Sequence, residues 1–425
     1  MRPIYWSCLL LLLPLFGTSQ TETTISQEDR LYGLAQLWHG TKVNFAFFEQ
    51  VPHVDWDSLY RATIPKVIAA ENDFAYARIL QNMCAQLQDG HTRVYFPKHL
   101  GKKWTGVPLS TQLIEGKVYI TEVLNDTLLE MGIKPGLEIT HIDQMAVHDY
   151  AKEYVEPYCF ASTPQDLVVQ TYDHKLLRGF KGQSITLGLQ ERSGDTQTLT
   201  FDRGYIYERG WSPVMSLEML EGNIAHLTVS RFWGDDFQPA VDSLMPLVKG
   251  ANGIVIDIRS NSGGNSDNSA YLLSHFSSKS FRTSNWSTPT YNAAFASWEM
   301  EQEWHSAKGY RVKPKRGKAK FKGPVVTLIG PKTYSAAEDF CSYYRQADIG
   351  PMIGAKTAGS TGNPIGVQLL DQMWAQVCTK KDVFHDGTEF VGYGVSPDME
   401  VVQSAEDFWK GRDTVLEEAR QFLLK

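Results

Sequence analysis

Cysteine, excess positive charge and long apolar runs are all scarce in this sequence of 425 residues. It has five cysteines and no CxxC pair or Cys/His cluster at metal-ligand spacing, so we expect no metal and no cofactor. The net charge of −7 argues against the strongly basic surface of nucleic-acid-binding domains, so we expect no nucleic-acid partner. Beyond the N-terminus, no apolar run approaches the ~20 residues of a membrane-spanning helix.

The N-terminus has the pattern of an export signal. Arg2 precedes the leucine-rich run Ile4–Phe16, and the small residues Gly17 and Ser19 follow it. We therefore predict a signal peptide over residues 1–19 and a secreted or periplasmic protein with no stable membrane span after cleavage. An uncleaved anchor is the alternative.

Four cysteines remain after the predicted cleavage. In an oxidising compartment they could pair in three ways, but their wide spacing favours buried free thiols. They are Cys84, Cys159, Cys341 and Cys378.

The chain is longer than the ~250–300 residues that one hydrophobic core usually organises, so more than one domain is expected. Helical periodicity over residues 24–104 predicts a helical N-terminal segment. Short β-rich runs separated by turn signals predict a small module over 105–205. Continuous apolar strands, such as Gly253–Ile258 and Pro324–Ile329, alternate with helical stretches and predict an α/β core over 206–425.

Two loops that follow predicted buried strands carry candidate chemistry. The first, Arg259–Gly264, is polar and ends in two glycines, which allow close approach of backbone N–H groups to a ligand. The second places Ser335 at the start of a helix. There the serine is either a nucleophile near a helix N-terminus or simply an N-cap that forms a capping box with Glu338.

A third segment, Asp89–Thr92, carries His91 in a turn after the helical region. A histidine in a turn is either a structural residue or a general base. As the base for Ser335 it would have to approach from 244 residues upstream, which only the fold can arrange.

Taken together, four motifs resemble the tail-specific, or C-terminal-processing, serine peptidase family in its tricorn-like branch. The resemblance implies a crotonase-like (ClpP-type) β-α spiral core and a PDZ-like module over 105–205, a type of module that binds peptides by strand addition. The motifs are Asp89–Thr92, Ile256–Gly264, Thr333–Glu338 and Gly392–Asp398, with Gly132–Gly136 and Ile139–Asp143 in the module.

The same resemblance implies a role for each site residue. Ser335 becomes the nucleophile, and the N–H groups of Gly264 and Ala336 form the oxyanion hole. His91 becomes the general base, with an expected ionisation in the ordinary histidine range of ~6–7. A lysine base is the alternative, but Ser360 stands where the lysine-dependent branch has that lysine, and Lys356 lies four residues earlier.

The orienting acid is the position where this sequence departs from the family. Val391 stands where the tricorn-like pattern has a glutamate before Gly392–Asp398. Glu389 shares a face with residue 391 on an extended segment, so we expect Glu389 to orient His91. Glu338 is the alternative acid.

These features predict a secreted serine endopeptidase that cleaves peptides or partly unfolded proteins through an acyl-enzyme. A retinoid-binding-like protein on the same fold and a crotonase-type acyl-CoA enzyme are alternatives. The intact Ser335 and His91 favour the peptidase over a binding protein, and the export signal disfavours CoA substrates. The sequence leaves the oligomeric state open.

Overall fold

The computed structural model describes residues 24–204, 213–315 and 321–425, so the predicted signal peptide lies outside the described residues. Helices in this part of the chain cluster near the N-terminus and around the central sheet. In chain order they are α1 Gln27–Asn44, α2 Trp56–Ile68, α3 Asp73–Ala85, α4 Lys98–Gly101, α5 Asp126–Glu130, α6 Val147–Tyr150, α7 Pro164–Val168, α8 Phe237–Leu244, α9 Ser266–Leu273, α10 Ala293–Ser297, α11 Ala336–Ala347, α12 Ala405–Trp409 and α13 Thr414–Leu424.

The strands form two large sheets and several small ones, giving a mixed α/β fold. In chain order they are β1 Arg93–Val94, β2 Trp104–Thr105, β3 Leu109–Ile114, β4 Lys117–Val123, β5 Glu138–Ile142, β6 Met145–Ala146, β7 Gly179–Phe180, β8 Ser184–Gln190, β9 Thr196–Asp202, β10 Met215–Leu220, β11 Ile224–Val229, β12 Gly253–Asp257, β13 Phe281–Arg282, β14 Asn285–Thr290, β15 Glu303–Ala307, β16 Arg311–Val312, β17 Val325–Ile329, β18 Met352–Gly354, β19 Ile365–Leu370, β20 Met373–Val377, β21 Lys381–Val383 and β22 Met399–Glu400.

The central sheet has the order β10-β11-β12-β17-β18-β22 and is parallel except for the β10–β11 pair. Every residue of β12 and of β17 is buried, as the continuous apolar runs predict for strands covered on both faces. Ile256 of β12 pairs with Thr327 of β17. The loops after these two strands therefore emerge at the same edge of the sheet, and these loops carry Gly264 and Ser335.

The N-terminal helices pack on the same core as the central sheet. Leu34 and Leu37 of α1 lie in one buried cluster with Ile254 and Ile256. Strand β1 pairs antiparallel with β20, in the second half of the chain. The turn that carries His91 ends just before β1, so this pairing brings the turn to the core.

A second sheet, β3-β4-β5-β8-β9 with β6 on β5, has a hydrophobic core of its own. Alternate side chains of β8 are buried, which is the pattern of a sheet with one covered face. The β-rich runs that the sequence predicts over 105–205 are strands, among them β4, β5, β8 and β9. Residues between Leu109 and Asp202 thus fold around a core separate from the main one.

The cysteine prediction is confirmed: the four cysteines in the described ranges are free and buried. Within residues 24–204, 213–315 and 321–425, none of the helices combines the length and apolar character needed to cross a bilayer.

Candidate active site

Backbone hydrogen bonds join the two loops at the edge of the central sheet. The N–H of Tyr334 donates to the carbonyl of Asn261 at 3.0 Å, and the hydroxyl of Thr333 donates to the carbonyl of Ile258. Asn261 is fully buried and also donates from its side chain to the carbonyl of Val229. These bonds hold the loop before Ser335 against the glycine-rich loop.

The turn at residues 89–92 brings His91 to Ser335. Nε2 of His91 lies 3.2 Å from Oγ of Ser335, across 244 residues of sequence. His91 is 6% exposed, whereas Ser335 is half-buried. The predicted base and the predicted nucleophile are therefore within hydrogen-bond reach, and the serine remains open on one side.

Ser335 has a strained backbone and makes no cap. Its φ of 55° and ψ of −125° lie in a region that residues with a β-carbon rarely adopt, and its side chain accepts no capping hydrogen bond. The alternative reading of Ser335 as an N-cap in a box with Glu338 is wrong. Helix α11 begins without that bond, so the conformation at Ser335 aims the hydroxyl at His91 instead.

The glycine-rich loop can approach Ser335 closely only with glycine at position 263. A β-carbon at Gly263 would lie 2.6 Å from Cβ of Ser335 and 2.9 Å from the backbone nitrogen of Ala336. Its φ of 99° also favours glycine. The loop can therefore lie directly over the serine and the first residue of α11.

The two predicted oxyanion donors lie at this contact. The parallel bridge to Phe232 uses the carbonyl of Gly263 and the N–H of Asn265, so the N–H of Gly264 points to the other side of the loop. Ala336 is the first residue of α11, where N–H groups have no partner within the helix. Among the described residues, neither N–H makes a backbone hydrogen bond.

Nδ1 of His91 contacts a hydroxyl. It lies 2.8 Å from Oγ of Ser360, and Ser360 donates its own proton to the hydroxyl of Tyr334 at 2.9 Å. Since that proton is committed, Nδ1 of His91 carries the hydrogen and Nε2 is free to accept from Ser335. The ring of Tyr334 stacks on His91 with centroids 4.9 Å apart.

The protonation of His91 differs from the sequence-based expectation. Burial, with a smaller contribution from Arg93 and Lys380, lowers the pKa of His91 to about 3, below the expected ~6–7. The imidazole is therefore neutral at physiological pH, as a general base requires.

The structure does not bring Glu389 to His91. Glu389 is exposed, in a β-bridge with Val383, and both ring nitrogens of His91 are occupied by Ser335 and Ser360. Glu389 therefore makes no hydrogen bond to His91 among the described residues, and its role as the orienting acid stays a prediction. A shared face with residue 391 is a local property, and Val391 itself is buried in the main core.

Glu338 is the carboxyl group tied to this network. It is fully buried and accepts hydrogen bonds from the hydroxyl of Thr357 and from the N–H groups of Gly359 and Ser360. Burial raises the pKa of Glu338 to about 8, against the lowering effect of these three donors. The N–H of Ser335 donates to the carbonyl of Ser360 at 2.9 Å, so the Ser360 backbone is held on both sides.

Residues 223–401 match the family model of Peptidase family S41. This part of the chain is similar to family S41. The match contains the glycine-rich loop, Ser335 and the segment around Ser360, while His91 lies before it.

Curated relatives align with part of the chain. It is 24% identical over 229 residues to the carboxy-terminal processing protease CtpA of Bacillus subtilis, an alignment that covers 53% of this chain and 44% of CtpA. A putative tricorn-like protease C-terminal subunit of Sulfurisphaera tokodaii is 31% identical over 108 residues, covering 24% of this chain and 12% of that protein. The chain thus spans less than half the length of these relatives.

Solved structures share the fold of this chain. The crystal structure of mature CPAF superposes with a TM-score of 0.71 at 14% identity, covering 94% of this chain and 96% of the other. The tricorn protease gives a TM-score of 0.51 at 16% identity, covering 93% of this chain and 36% of the other.

Lys356 is the alternative base, and Ser360 stands where the lysine-dependent branch has its lysine. Lys356 is exposed, and among the described residues no hydrogen bond joins it to Ser335. Sequence reasoning missed Ser360 and Tyr334 as partners of His91. The sequence held a signal for both residues, since Ser360 stands at the position of the lysine in the lysine-dependent branch and Tyr334 directly precedes Ser335.

The variant Glu338→Gln tests whether the carboxyl group of Glu338 supports the histidine base. We expect Glu338→Gln to lower the free energy of unfolding by ~1–3 kcal/mol, because an amide N–H₂ group would face one of three buried donors. We also expect a lower kcat with little change in KM, because Ser360 would no longer be held beneath His91. Thermal unfolding and steady-state kinetics measure both quantities.

Glu389→Gln is the matched control, with the same chemical change at an exposed position. Its free energy of unfolding should stay within ~0.5 kcal/mol of the parent, and kcat should not change. A crippled Glu389→Gln beside a fully active Glu338→Gln would show that the carboxyl group of Glu338 does not support the base.

Proposed function

We propose that this protein is a secreted serine endopeptidase that hydrolyses peptide bonds in peptides or partly unfolded proteins through an acyl-enzyme. The observation that carries the proposal is the 3.2 Å contact between Oγ of Ser335 and Nε2 of a neutral, buried His91. The match of residues 223–401 to Peptidase family S41 and the names of the curated relatives support the reaction class.

In the proposed first step, Nε2 of His91 takes the proton of Ser335 as its oxygen attacks the peptide carbonyl. The carbonyl oxygen becomes an oxyanion, which the N–H groups of Gly264 and Ala336 stabilise. The protonated His91 then gives its proton to the leaving amine, and an acyl group remains on Ser335. Water, activated by the same His91, hydrolyses the ester.

The proposed orienting group for His91 is a hydroxyl held by a carboxyl group. Nδ1–H donates to Ser360, and Glu338 fixes the backbone of Ser360 through its N–H. This arrangement keeps the tautomer that leaves Nε2 unprotonated, which is the orienting role that a third group performs for a histidine base. Glu338 acts here as a positioning residue.

The proposed domain organisation keeps a helical segment at 24–104, a PDZ-like module at 105–205 and a crotonase-like core at 206–425, with a signal peptide at 1–19. The separate hydrophobic core under the β3–β9 sheet supports an independent module. In the proposed core, β-α units around β12 and β17 present the reactive loops at one edge of the sheet.

Fluorophosphonate labelling tests the proposed nucleophile. These reagents phosphonylate an activated serine, so a tryptic peptide that contains modified Ser335 is expected by mass spectrometry. Labelling should disappear in His91→Ala, since the serine then lacks its base. Absence of label at Ser335 in the folded parent protein, with no cleavage of unfolded casein, would overturn the peptidase proposal.

A further inference from the structure

Strand β15 lies at the edge of the small sheet β15-β14-β21. In the described parts of the chain, β14 is the only strand that pairs with it. The first four residues of β15 are exposed, and none of its residues is proline. A bare strand edge presents backbone N–H and C=O groups that pair readily with another strand, so proteins usually cover such edges or interrupt them with proline. Within the described residues, this edge is neither covered nor interrupted.

The hydrogen-bond pattern of the sheet decides which residues of β15 face this open edge. Pro289 of β14 lies opposite Trp304 and has no N–H to donate, so these two residues form a non-hydrogen-bonded pair. The far side of the sheet has the same alternation, because the N–H of Phe384, next to β21, donates away from β14 to the carbonyl of Thr388 at 2.9 Å. The backbone N–H and C=O groups of Trp304 and Ser306 therefore point to the open edge.

These free groups are spaced for antiparallel pairing with the same strand of a second copy. With a two-fold axis beside His305, Trp304 of one copy lies opposite Ser306 of the other, and each such pair exchanges two backbone hydrogen bonds. Residue 305 then lies opposite itself in a non-hydrogen-bonded pair. The two Trp304 side chains lie diagonally across the axis on one face of the sheet, within the reach of aromatic rings.

The charges around β15 favour this antiparallel arrangement. Glu301 and Glu303 lie at the start of the strand, Lys308 directly follows its end, and all three are exposed. None of the three forms an ion pair within the described residues. Antiparallel pairing places the acidic start of one strand beside the basic end of the other, whereas parallel pairing would align like charges. The edge is therefore complementary to itself, which favours a second copy of the chain as its partner.

Exposed apolar side chains surround the same edge. Trp298 is 65% exposed and Met300 is 52% exposed, and both precede β15. Trp304 on the strand and Tyr310 after it are exposed as well. One short pair of strands buries too little surface for a stable dimer, which needs ~1,200 Å² or more. These side chains supply apolar surface beside the strand that a partner can cover.

The other edge of the small sheet is occupied. Val383 of β21 forms an antiparallel bridge with Glu389. A sheet with one open edge can join one further sheet and then has no open edge left. Pairing through β15 therefore closes at two copies, as a two-fold dimer does.

We propose that β15 is a dimerisation edge, at which two copies of this chain pair antiparallel about a two-fold axis beside His305. The pairing joins the two small sheets into one continuous sheet, and the exposed aromatic side chains pack around it. The proposal does not depend on the proposed peptidase function, because none of these residues belongs to the candidate active site.

Sedimentation velocity of the Ser335→Ala variant, in which Ser335 cannot cleave the protein itself, measures the association. We expect a reversible dimer whose Kd rises at least ~10-fold in Ser306→Pro, because proline removes an open-edge N–H from both copies and leaves the β14 ladder intact. Ser306→Ala is the matched control, since it loses the same hydroxyl but keeps the N–H. Its Kd should stay within ~2-fold of the parent value.

Cysteine substitutions test the position of the two-fold axis. The proposed pairing places the two α-carbons of residue 305 ~4.5 Å apart, which a disulfide can span, so His305→Cys should give a disulfide-linked dimer on mild oxidation. The two copies of residue 303 would lie ~13 Å apart along the strands, so Glu303→Cys is the matched control and should stay unlinked. The four cysteines in the described ranges are buried and do not compete. Non-reducing gel electrophoresis separates the two outcomes.

Hydrogen exchange of the parent strand decides the proposal even if a variant does not fold. Protection of the Trp304 and Ser306 amides should increase with protein concentration. A protein that stays monomeric at ~100 µM would overturn the proposal, as would a dimer unaffected by Ser306→Pro or a disulfide at residue 303 but not at 305. Protection that appears only when unfolded casein is added, without a dimer, would overturn it too, because the edge would then bind a substrate strand.

Discussion

Ser335→Ala is expected to lower kcat by ~10⁴-fold or more, because the reaction then loses its nucleophile while the oxyanion donors remain. The free energy of unfolding should change by less than ~0.5 kcal/mol, because the hydroxyl of Ser335 caps no helix. Peptide hydrolysis and thermal unfolding of the same preparation measure the two effects.

The variant Ser335→Gly distinguishes the backbone strain at residue 335 from the loss of the nucleophilic hydroxyl. A residue with a β-carbon at φ 55° and ψ −125° is strained, and glycine relieves that strain. We therefore expect Ser335→Gly to be as inactive as the alanine variant but ~1 kcal/mol more stable than it. Turnover that survives in both variants would show that Ser335 is not the nucleophile, and a less stable glycine variant would show that its backbone is relaxed.

His91→Ala is expected to lower kcat/KM by ~10³–10⁴-fold, since the serine loses its base. In the parent protein, kcat/KM should show no ionisation of His91 between pH 7 and pH 5. Burial lowers the pKa of His91 to about 3, so the imidazole stays neutral throughout this window and gains its inactivating proton only well below it. An uncharged peptide substrate keeps titration of the substrate out of the profile.

Asp166 supplies the control for this pH profile. Its pKa is raised to about 6 by burial, and it lies close to the stacked pair of His91 and Tyr334, so its own titration falls inside the window. An inflection near pH 6 that disappears in Asp166→Asn belongs to Asp166. An inflection that persists in Asp166→Asn would show that His91 titrates normally and that its burial has no such effect.

The lowered pKa of His91 also affects the free energy of unfolding. A histidine whose pKa is lowered in the folded state stabilises the fold above its unfolded pKa of ~6.5, and this contribution is lost as the pH falls from there toward about 3. The His91→Ala variant should therefore lose less stability than the parent protein between pH 6.5 and pH 4. Urea unfolding across this range measures the difference.

The sequence by itself determined the local features of this protein. Continuous apolar runs over β12 and β17 are buried strands because local hydrophobicity decides whether a strand is covered on both faces. The strand–turn–helix signal placed Ser335 at the start of α11, and wide spacing favoured free thiols. Four short motifs were enough to indicate the family to which residues 223–401 match.

Only the tertiary structure decided which polar groups meet. Pairing of β1 with β20 brings His91 to Ser335 across 244 residues, and the fold selects Ser360 as its second partner. Local spacing favoured Glu389, yet long-range packing leaves it exposed and buries Glu338 among three donors. Hydrophobic periodicity acts over a few neighbouring residues, whereas the partner of a buried polar side chain depends on every element packed around it.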